Sequence, residues 1–456
     1  MRFWGGLVAA LAATAAHAGG NAIPDLGAGG LAQAGATIAR PDDLTAMYYN
    51  PAALAFQDGL RVYLDLRAVD QRVQFQRLNA NGQNPVGWAK VENSGGVSPA
   101  PVLGVSWHFM GRFTLAVGGQ PSNGATGYHF PNPDDARAAG QGDTGIARFS
   151  PQRYLAVDST SRIFMPVFAG AVQLTDWLAF GAGLELPWAD FRTKVAVYAG
   201  PVSGELTDFD ALVDIHATQW FARSGVFGLS AQPTPWLSAG LGLQLVTHFR
   251  AGGDITAELP PAATSLGLTV TGKDANIDVR FPWVLRGGVR FYQPRWSVEL
   301  AGTFEKWSEL KDIRITPIDI EVKLGSTPVP LPTLILPKNL NDSGSVRLGG
   351  EYRLRPWVTL RAGALYETAA TPTERQSLDW VHWDRFSLNA GAAFTYGRYT
   401  AQLAASRFLQ ADRQVRNSQI NQLVAFQGVQ PTVTANGDYG SQITVVAASI
   451  AARFDP

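Results

Sequence analysis

Six charged side chains recur in the second half of the chain at even spacings: Arg286 and Arg290, then Arg347, Glu351 and Arg353, then Arg361. Even spacing places such residues on one face of a β-strand, because successive side chains point to opposite sides. With Glu299 they form a set of guanidinium and carboxylate groups that can pair with one another. A planar guanidinium also suits the carboxylate of a ligand. Two uses stay open: a network that fills an interior and holds a neighbouring segment, or one or two arginines that meet a substrate carboxylate. No catalytic set competes with them. There is no Cys, no G-x-S-x-G, no H-E-x-x-H and no P-loop in the sequence. His108, His129, His216, His248 and His382 are scattered without metal-ligand spacing. No enzyme activity, metal site or cofactor is expected. With 37 basic and 37 acidic residues the formal charge is zero, and nothing points to a nucleic-acid partner.

The elements that must position these charges alternate with period two. In 345–354, Ser345, Arg347, Gly349, Glu351 and Arg353 fall on one face, and Val346, Leu348, Gly350, Tyr352 and Leu354 on the other. In 357–366, Val358, Leu360, Ala362, Ala364 and Tyr366 oppose Thr359, Arg361 and Gly363. In 236–245, Leu237, Ala239, Leu241, Leu243 and Leu245 oppose Ser238, Gly240, Gly242 and Gln244, and 177–186 repeats the offset. A soluble sandwich would bury the apolar face. A barrel in lipid would turn it outward and keep the charged and small face for the lumen.

The turns favour the barrel. Six tight turns each hand over to an aromatic residue that opens the outgoing strand: Phe113, Trp177, Trp236, Trp296, Trp357 and Tyr399. Aromatic residues with a polar edge settle at a lipid–water boundary. Seven longer irregular segments, roughly 78–98, 120–161, 198–211, 257–274, 318–342, 369–384 and 409–440, separate the hairpins. Six short turns and seven long loops give fourteen strands with both chain ends on the short-turn side. No stretch after the N-terminus has the length of about 20 apolar residues that a spanning helix needs. Charged residues make up 16% of the chain, below the roughly 25% of soluble domains. At the N-terminus, Arg2, the apolar run 3–16 and Ala16-His17-Ala18 have the order of a cleavable secretory signal over residues 1–18.

Residues 19–58 do not alternate. They are rich in Gly and Ala, low in charge, and carry Leu26, Leu31, Ile38, Leu44, Met47 and the pair Tyr48-Tyr49. A solvated tail has the opposite composition, so a plug folded into the lumen is expected, followed by the barrel over 59–456. Here the sequence takes on a specific resemblance. The stretch 27–36 (GAGGLAQAGA), followed by 42–52 (DDLTAMYYNPA) with Asn50-Pro51-Ala52 near its end, resembles the N-terminal hatch of the FadL family. The stretches 304–308 (FEKWS), 342–352 (DSGSVRLGGEY), 360–364 (LRAGA) and 174–187 (LTDWLAFGAGLELP) are similar to that family in the same order. The resemblance implies an all-β fold, a fourteen-stranded antiparallel transmembrane barrel plugged by a hatch. It implies passive uptake of long-chain fatty acids or aromatic hydrocarbons across a bacterial outer membrane, with sideways release through a gap in the wall.

On this reading both termini are periplasmic, the protein is a monomer among outer-membrane lipids, and its ligand is a small hydrophobic molecule. The Asn50-Pro51-Ala52 turn anchors the hatch, whose movement would release ligand. Two loops are apolar for external segments, and Leu259, Leu266 and Leu268 with Leu331, Leu334 and Leu336 are candidates for an entry groove. The alternative is that these loops pack on each other or touch lipid. The first place to look for a wall gap is the third strand, 112–119, because Gly118-Gly119-Gln120-Pro121 ends its alternation early. The rival function is a general diffusion porin for polar solutes, which the plug and the apolar loops disfavour.

Overall fold

The computed structural model describes residues 25–39, 44–94, 96–121, 126–329, 333–425 and 428–454. The signal segment 1–18 and Leu331 lie outside the described residues. Fourteen strands form the wall: β1 (Leu60–Arg77), β2 (Val97–Phe109), β3 (Phe113–Pro121), β4 (Asp158–Gln173), β5 (Leu178–Glu185), β6 (Ser224–Thr234), β7 (Leu237–Gln244), β8 (Val284–Tyr292), β9 (Trp296–Glu305), β10 (Ser343–Arg355), β11 (Val358–Glu367), β12 (Arg385–Tyr396), β13 (Tyr399–Leu409) and β14 (Gly437–Phe454). Each pairs antiparallel with the next. β14 returns to β1, from Leu60 opposite Phe454 to Arg77 opposite Gly437. The ring is closed, as the alternation and the turn count anticipate, which lets the wall strands satisfy one another's backbone groups in lipid.

Outside the ring the surface is apolar. Leu64, Leu66, Leu300, Val346, Leu348, Leu388, Leu403 and Ile450 are all exposed on it. At the short-turn end Trp107, Trp177, Trp236, Trp296, Trp357 and Tyr399 are exposed and form one girdle. The ends of β1 and β14 lie at this same level.

A second ring of strands continues five of the wall strands on the long-loop side. Trp188–Tyr198 extends β5, Asp210–Gln219 leads into β6, Thr247–Glu258 follows β7, Asp274–Phe281 leads into β8, and Asp312–Pro317 follows β9. They pair in that order between the upper part of β4 and the short strand Leu334–Pro337. The two tiers meet at a seam of broken pairing: Leu186-Pro187, Trp220 to Arg223 with Phe221 at φ 54°, Leu245-Val246, Pro282-Trp283, and the 3₁₀ turn Trp307–Glu309. Proline cannot donate to a ladder, so two of these breaks are built into the sequence.

The seam is also where lipid ends. Trp188, Trp220, Phe221 and Trp283 stand there, with Trp188 and Trp220 rings 5.7 Å apart. From Trp177 to Trp188 the strand path runs about 36 Å at ~3.3 Å per residue, or about 28 Å of height at a tilt of ~40°. That matches the ~25 Å apolar band of outer-membrane barrels. Above the seam, outward positions turn polar: Asp190 pairs with His216 at 2.8 Å, Asp278 with His248 at 2.9 Å, and Asp254 with Lys273 at 3.3 Å.

In three strands a single-residue slip at the seam makes this switch. Below it, β7 points Ser238, Gly240, Gly242 and Gln244 inward; above it the inward set is Thr247, Phe249 and Ala251. Had the phase run on, His248 and Arg250 would face the lumen. The same slip lies between Val284 and Phe281, and between Ser224 and Ala217. One residue of slip moves a whole side-chain set to the other face.

Candidate functional site

The lumen below the seam is filled by residues 25–39 and 44–58. Two short helices, α1 (Gly27–Ala32) and α2 (Ala46–Tyr49), and a 3₁₀ turn, Pro51–Phe56, are flanked by irregular backbone, and nearly every described side chain is buried. Irregular backbone away from water needs partners, and the wall supplies them. Glu299 accepts from the backbone N–H of Ile38 (2.6 Å) and Ala39 (3.0 Å), and Asp65 accepts from that of Ala28 (2.7 Å). Asn389 donates to the Leu31 carbonyl (2.7 Å), Ser238 to Ala39 (3.1 Å) and Thr114 to Leu54 (3.0 Å).

Asn50 joins the two parts. Its side-chain amide donates to the carbonyls of Ile38 (3.1 Å) in the hatch and Leu229 (3.0 Å) in the wall, while its oxygen accepts from the Ala52 N–H (3.2 Å). That last bond caps the 3₁₀ turn, and Pro51 fills the first turn position, where an N–H would have no partner. The Asn-Pro-Ala triplet is thus a cap, a turn and a wall anchor in one.

Close seating depends on missing side chains. A methyl group added at Gly181 would overlap the backbone of Ala52, at Gly242 the Tyr49 carbonyl, and at Gly240 the Ile38 carbonyl. Gly349 and Gly363, opposite each other across β10 and β11, do the same for Gln33. These glycines all lie on the inward face, and their recurrence among polar residues, as in 238–244, is a signal the charge pattern alone does not reveal.

Five of the six charged candidates meet in this lumen. Arg347 pairs with Asp25 of the hatch (3.2 Å), and the Arg286 guanidinium lies 4.2 Å over the Tyr48 ring and donates to Gln244 (2.9 Å). Glu351 bridges Arg290 (2.6 Å) and Arg361 (3.2 Å). Arg353 keeps the inward phase but sits at the short-turn rim, where it is exposed.

Above the seam the lumen is a chamber. Phe191, Ile215, Ile277, Val279, Phe281, Ile313, Ile315, Leu336 and Trp380 line a cavity of about 140 Å³, with Ser159, Ser161, Thr193 and Asp379 on its polar side. Trp307 and Trp380 stack edge-on (5.5 Å) and both meet Phe281. A second cavity of about 260 Å³, nearer the loops, shares Thr193, Ile215, Leu336 and Asp379 with the first. The charge-based reading missed this chamber, whose signal was the seam slip.

The loop candidates divide. Leu334 and Leu336 line the outer cavity. Leu268 is buried and Leu259 half-buried in a small cluster with Ala263 and Val322, under a three-stranded sheet of Leu268–Thr271, Glu321–Leu324 and Thr327–Val329. Leu266 is exposed. Trp380 and Asp379 arrive on the loop between β11 and β12, and Lys338 holds Asp379 through an ion pair of 2.5 Å. In the same loop His382 is buried beside Glu367 (3.5 Å). Burial, with the charge of Arg385, holds its imidazole down to about 4, against the opposing hydrogen bond to Glu367.

Among the described residues, the joint between β2 and β3 is uneven. β2 and β3 pair from Phe109 opposite Phe113 to Leu103 opposite Gly119, and no further. Beyond that point Gln120 and Pro121 stay with β4, while Val97 to Val102 stay with β1. The Met47 side chain of the hatch reaches this level against Gly104 and Gly118.

The family profile described as outer membrane protein transport protein (OMPP1/FadL/TodX) matches residues 9–454. Among solved structures, a Pseudomonas aeruginosa FadL homologue is 15% identical with a TM-score of 0.76, covering 96% of this chain and 100% of its own. The Ralstonia pickettii toluene transporter TbuX is 18% identical with a TM-score of 0.65, covering 95% and 99%. The Pseudomonas putida toluene transporter TodX is 16% identical with a TM-score of 0.64, covering 95% and 100%. A comparison with curated proteins finds no match.

Proposed function

From the premise that this chain belongs to the OMPP1/FadL/TodX family of outer-membrane transport proteins, we propose that it passively imports small hydrophobic molecules the size of one substituted aromatic ring. The chamber above the hatch carries this reading. Pockets that bind small molecules are apolar with a few placed polar groups, and an apolar cavity of roughly 150 Å³ accepts benzene. The inner cavity, at about 140 Å³, suits a single ring better than an extended acyl chain.

Ligand enters past Leu334 and Leu336, rests against Phe281 and Trp380, and leaves sideways where the β2–β3 ladder ends. Residues 19–58 form the hatch and 59–456 the barrel, after removal of a signal at 1–18. Both termini lie in the periplasm, and the protein works as a monomer. The lumen arginines are engaged within the protein rather than by the ligand: Arg286 and Arg347 meet Tyr48 and Asp25 of the hatch, and Arg290 and Arg361 pair with Glu351 of the wall.

The test is uptake of labelled toluene and labelled decanoate by cells with and without the protein. The proposal expects protein-dependent entry of toluene and little of decanoate. Equal entry of both, or a large steady conductance of the kind a diffusion porin gives, would count against it.

A further inference from the structure

The short-turn end of the barrel carries a lopsided charge. Arg112, Arg295, Arg353, Arg355 and Arg398 stand exposed there, and among the described residues none of them is in an ion pair or a side-chain hydrogen bond. They occupy the β2–β3, β8–β9 and β12–β13 turns and the foot of β10. On the remaining arc of the wall, the β4–β5 and β6–β7 turns hold Asp176 and no basic residue. Arg453, near the end of β14, already has Asp58 (3.7 Å), and Asp455 after it lies outside the described residues.

Three of these arginines gather at one place. The Arg353 backbone N–H donates to the Arg295 carbonyl (2.7 Å), which ties the β8–β9 turn to the foot of β10, where Arg355 follows. Glu351, the acid nearest in sequence, is taken by Arg290 (2.6 Å) and Arg361 (3.2 Å). Like charges gathered without a counter-charge repel, and an anion among them removes that cost. The aromatic girdle fixes their height. Arg112-Phe113, Arg295-Trp296 and Arg398-Tyr399 are adjacent pairs, and Arg355 stands two residues before Trp357. All four rings are exposed on the wall. Such rings mark the boundary between acyl chains and headgroups, so guanidiniums on their turn side stand at the level of lipid phosphates.

We propose that this rim binds anionic phospholipid. The phosphodiester of one headgroup sits among Arg295, Arg353 and Arg355, and its acyl chains lie against Trp296 and Trp357. A guanidinium fork matches phosphate oxygens, and each basic residue at an anionic membrane surface strengthens binding by roughly fivefold. The bare arc from β4 to β7 recruits no such lipid. An acidic protein also suits a basic surface, but the continuity of these arginines with the lipid-facing rings favours the headgroup. The inference concerns the leaflet at the short turns and is independent of the cargo in the chamber.

The test is the lipid that the purified full-length barrel retains through a mild detergent wash, after exposure to equal amounts of a phosphatidylglycerol and a phosphatidylcholine with the same acyl chains. Both probes carry a phosphodiester, and they differ in net charge. The wild type should retain phosphatidylglycerol by about tenfold over phosphatidylcholine, and a wash in about 0.5 M salt should shrink that ratio. R295Q/R353Q/R355Q should bring the ratio close to one. R250Q/K273Q/R314Q, which removes as much charge from exposed positions on the long-loop side, should keep the wild-type ratio. A wild-type ratio near one, as a rim made for an acidic protein gives, overturns the inference. So does a ratio that salt leaves unchanged, or one that both triple variants lower equally.

Discussion

In β7, Ser238, Gly240, Gly242 and Gln244 face a lumen packed with hatch backbone, whereas a few residues on, Phe249 and Ala251 are buried in the apolar packing around the upper cavity. The two tiers share a wall but invert its polarity. Below the seam, lipid outside demands apolar residues outward, and the irregular hatch inside demands donors and acceptors. Above it, water outside takes the polar face, and the inward face is free to be apolar. The comparison shows that polarity in this barrel follows what each face touches, and that one-residue slips are enough to exchange the two codes.

The largest way to break the comparison is to deny the hatch its seat. Gly242→Leu places a side chain where the Tyr49 carbonyl lies, which the wall cannot absorb. The expected outcome is a displaced hatch, seen in planar bilayers as a large steady conductance that the wild type lacks. A next step is to misplace charge in the lower tier. Leu348→Arg puts a cation on the lipid face and should cost about 2–4 kcal/mol in urea unfolding from lipid vesicles.

Acid should act on the loop that carries His382. The buried His382 has its pKa lowered from 6.5 to about 4, so the unfolded segment binds the proton more readily than the folded one. Its packing is therefore at full strength above pH ~6.5 and weakens as pH falls toward ~4. The closed-to-open ratio of residues 369–384 should drop on the order of 10²-fold across that window. Hydrogen exchange of that loop reads it.

The signs of the lower tier were legible in the sequence for a physical reason. Lipid and lumen impose opposite demands on adjacent residues, so Arg347, Leu348 and Gly349 announce their faces one after another. The six turn aromatics mark one membrane boundary in the same way. The upper tier was less legible because Phe281, Trp283 and Val284 are apolar on both sides of the break; Pro282 marks where the ladder stops, but the one-residue slip beyond it is a property of pairing. The chamber also draws Trp380 from a loop about 100 residues away from Phe281, which no local period records. The Asn50-Pro51-Ala52 turn could be read as a turn, but its bond to the Leu229 carbonyl could not.

Smaller effects sharpen the comparison further. Asn50→Ala removes three buried hydrogen bonds and should loosen the hatch by about 1–3 kcal/mol, raising protease sensitivity near residue 50 without unfolding the barrel. At the other end of the scale, Asp190→Leu on the outward face of the upper tier breaks a half-exposed pair with His216 and should change unfolding by less than about 1 kcal/mol. A cost there as large as that of Leu348→Arg would mean that the seam does not mark the edge of lipid.

The central claim is that the hydrophobic ligand rests in the upper chamber, above a filled lower lumen. Crystals of the full-length protein soaked in bromobenzene would locate it through the anomalous signal of bromine. The peak is expected among Phe281, Ile277, Ile315 and Trp380; a peak in the lower lumen against the hatch, with none in the chamber, would overturn this placement.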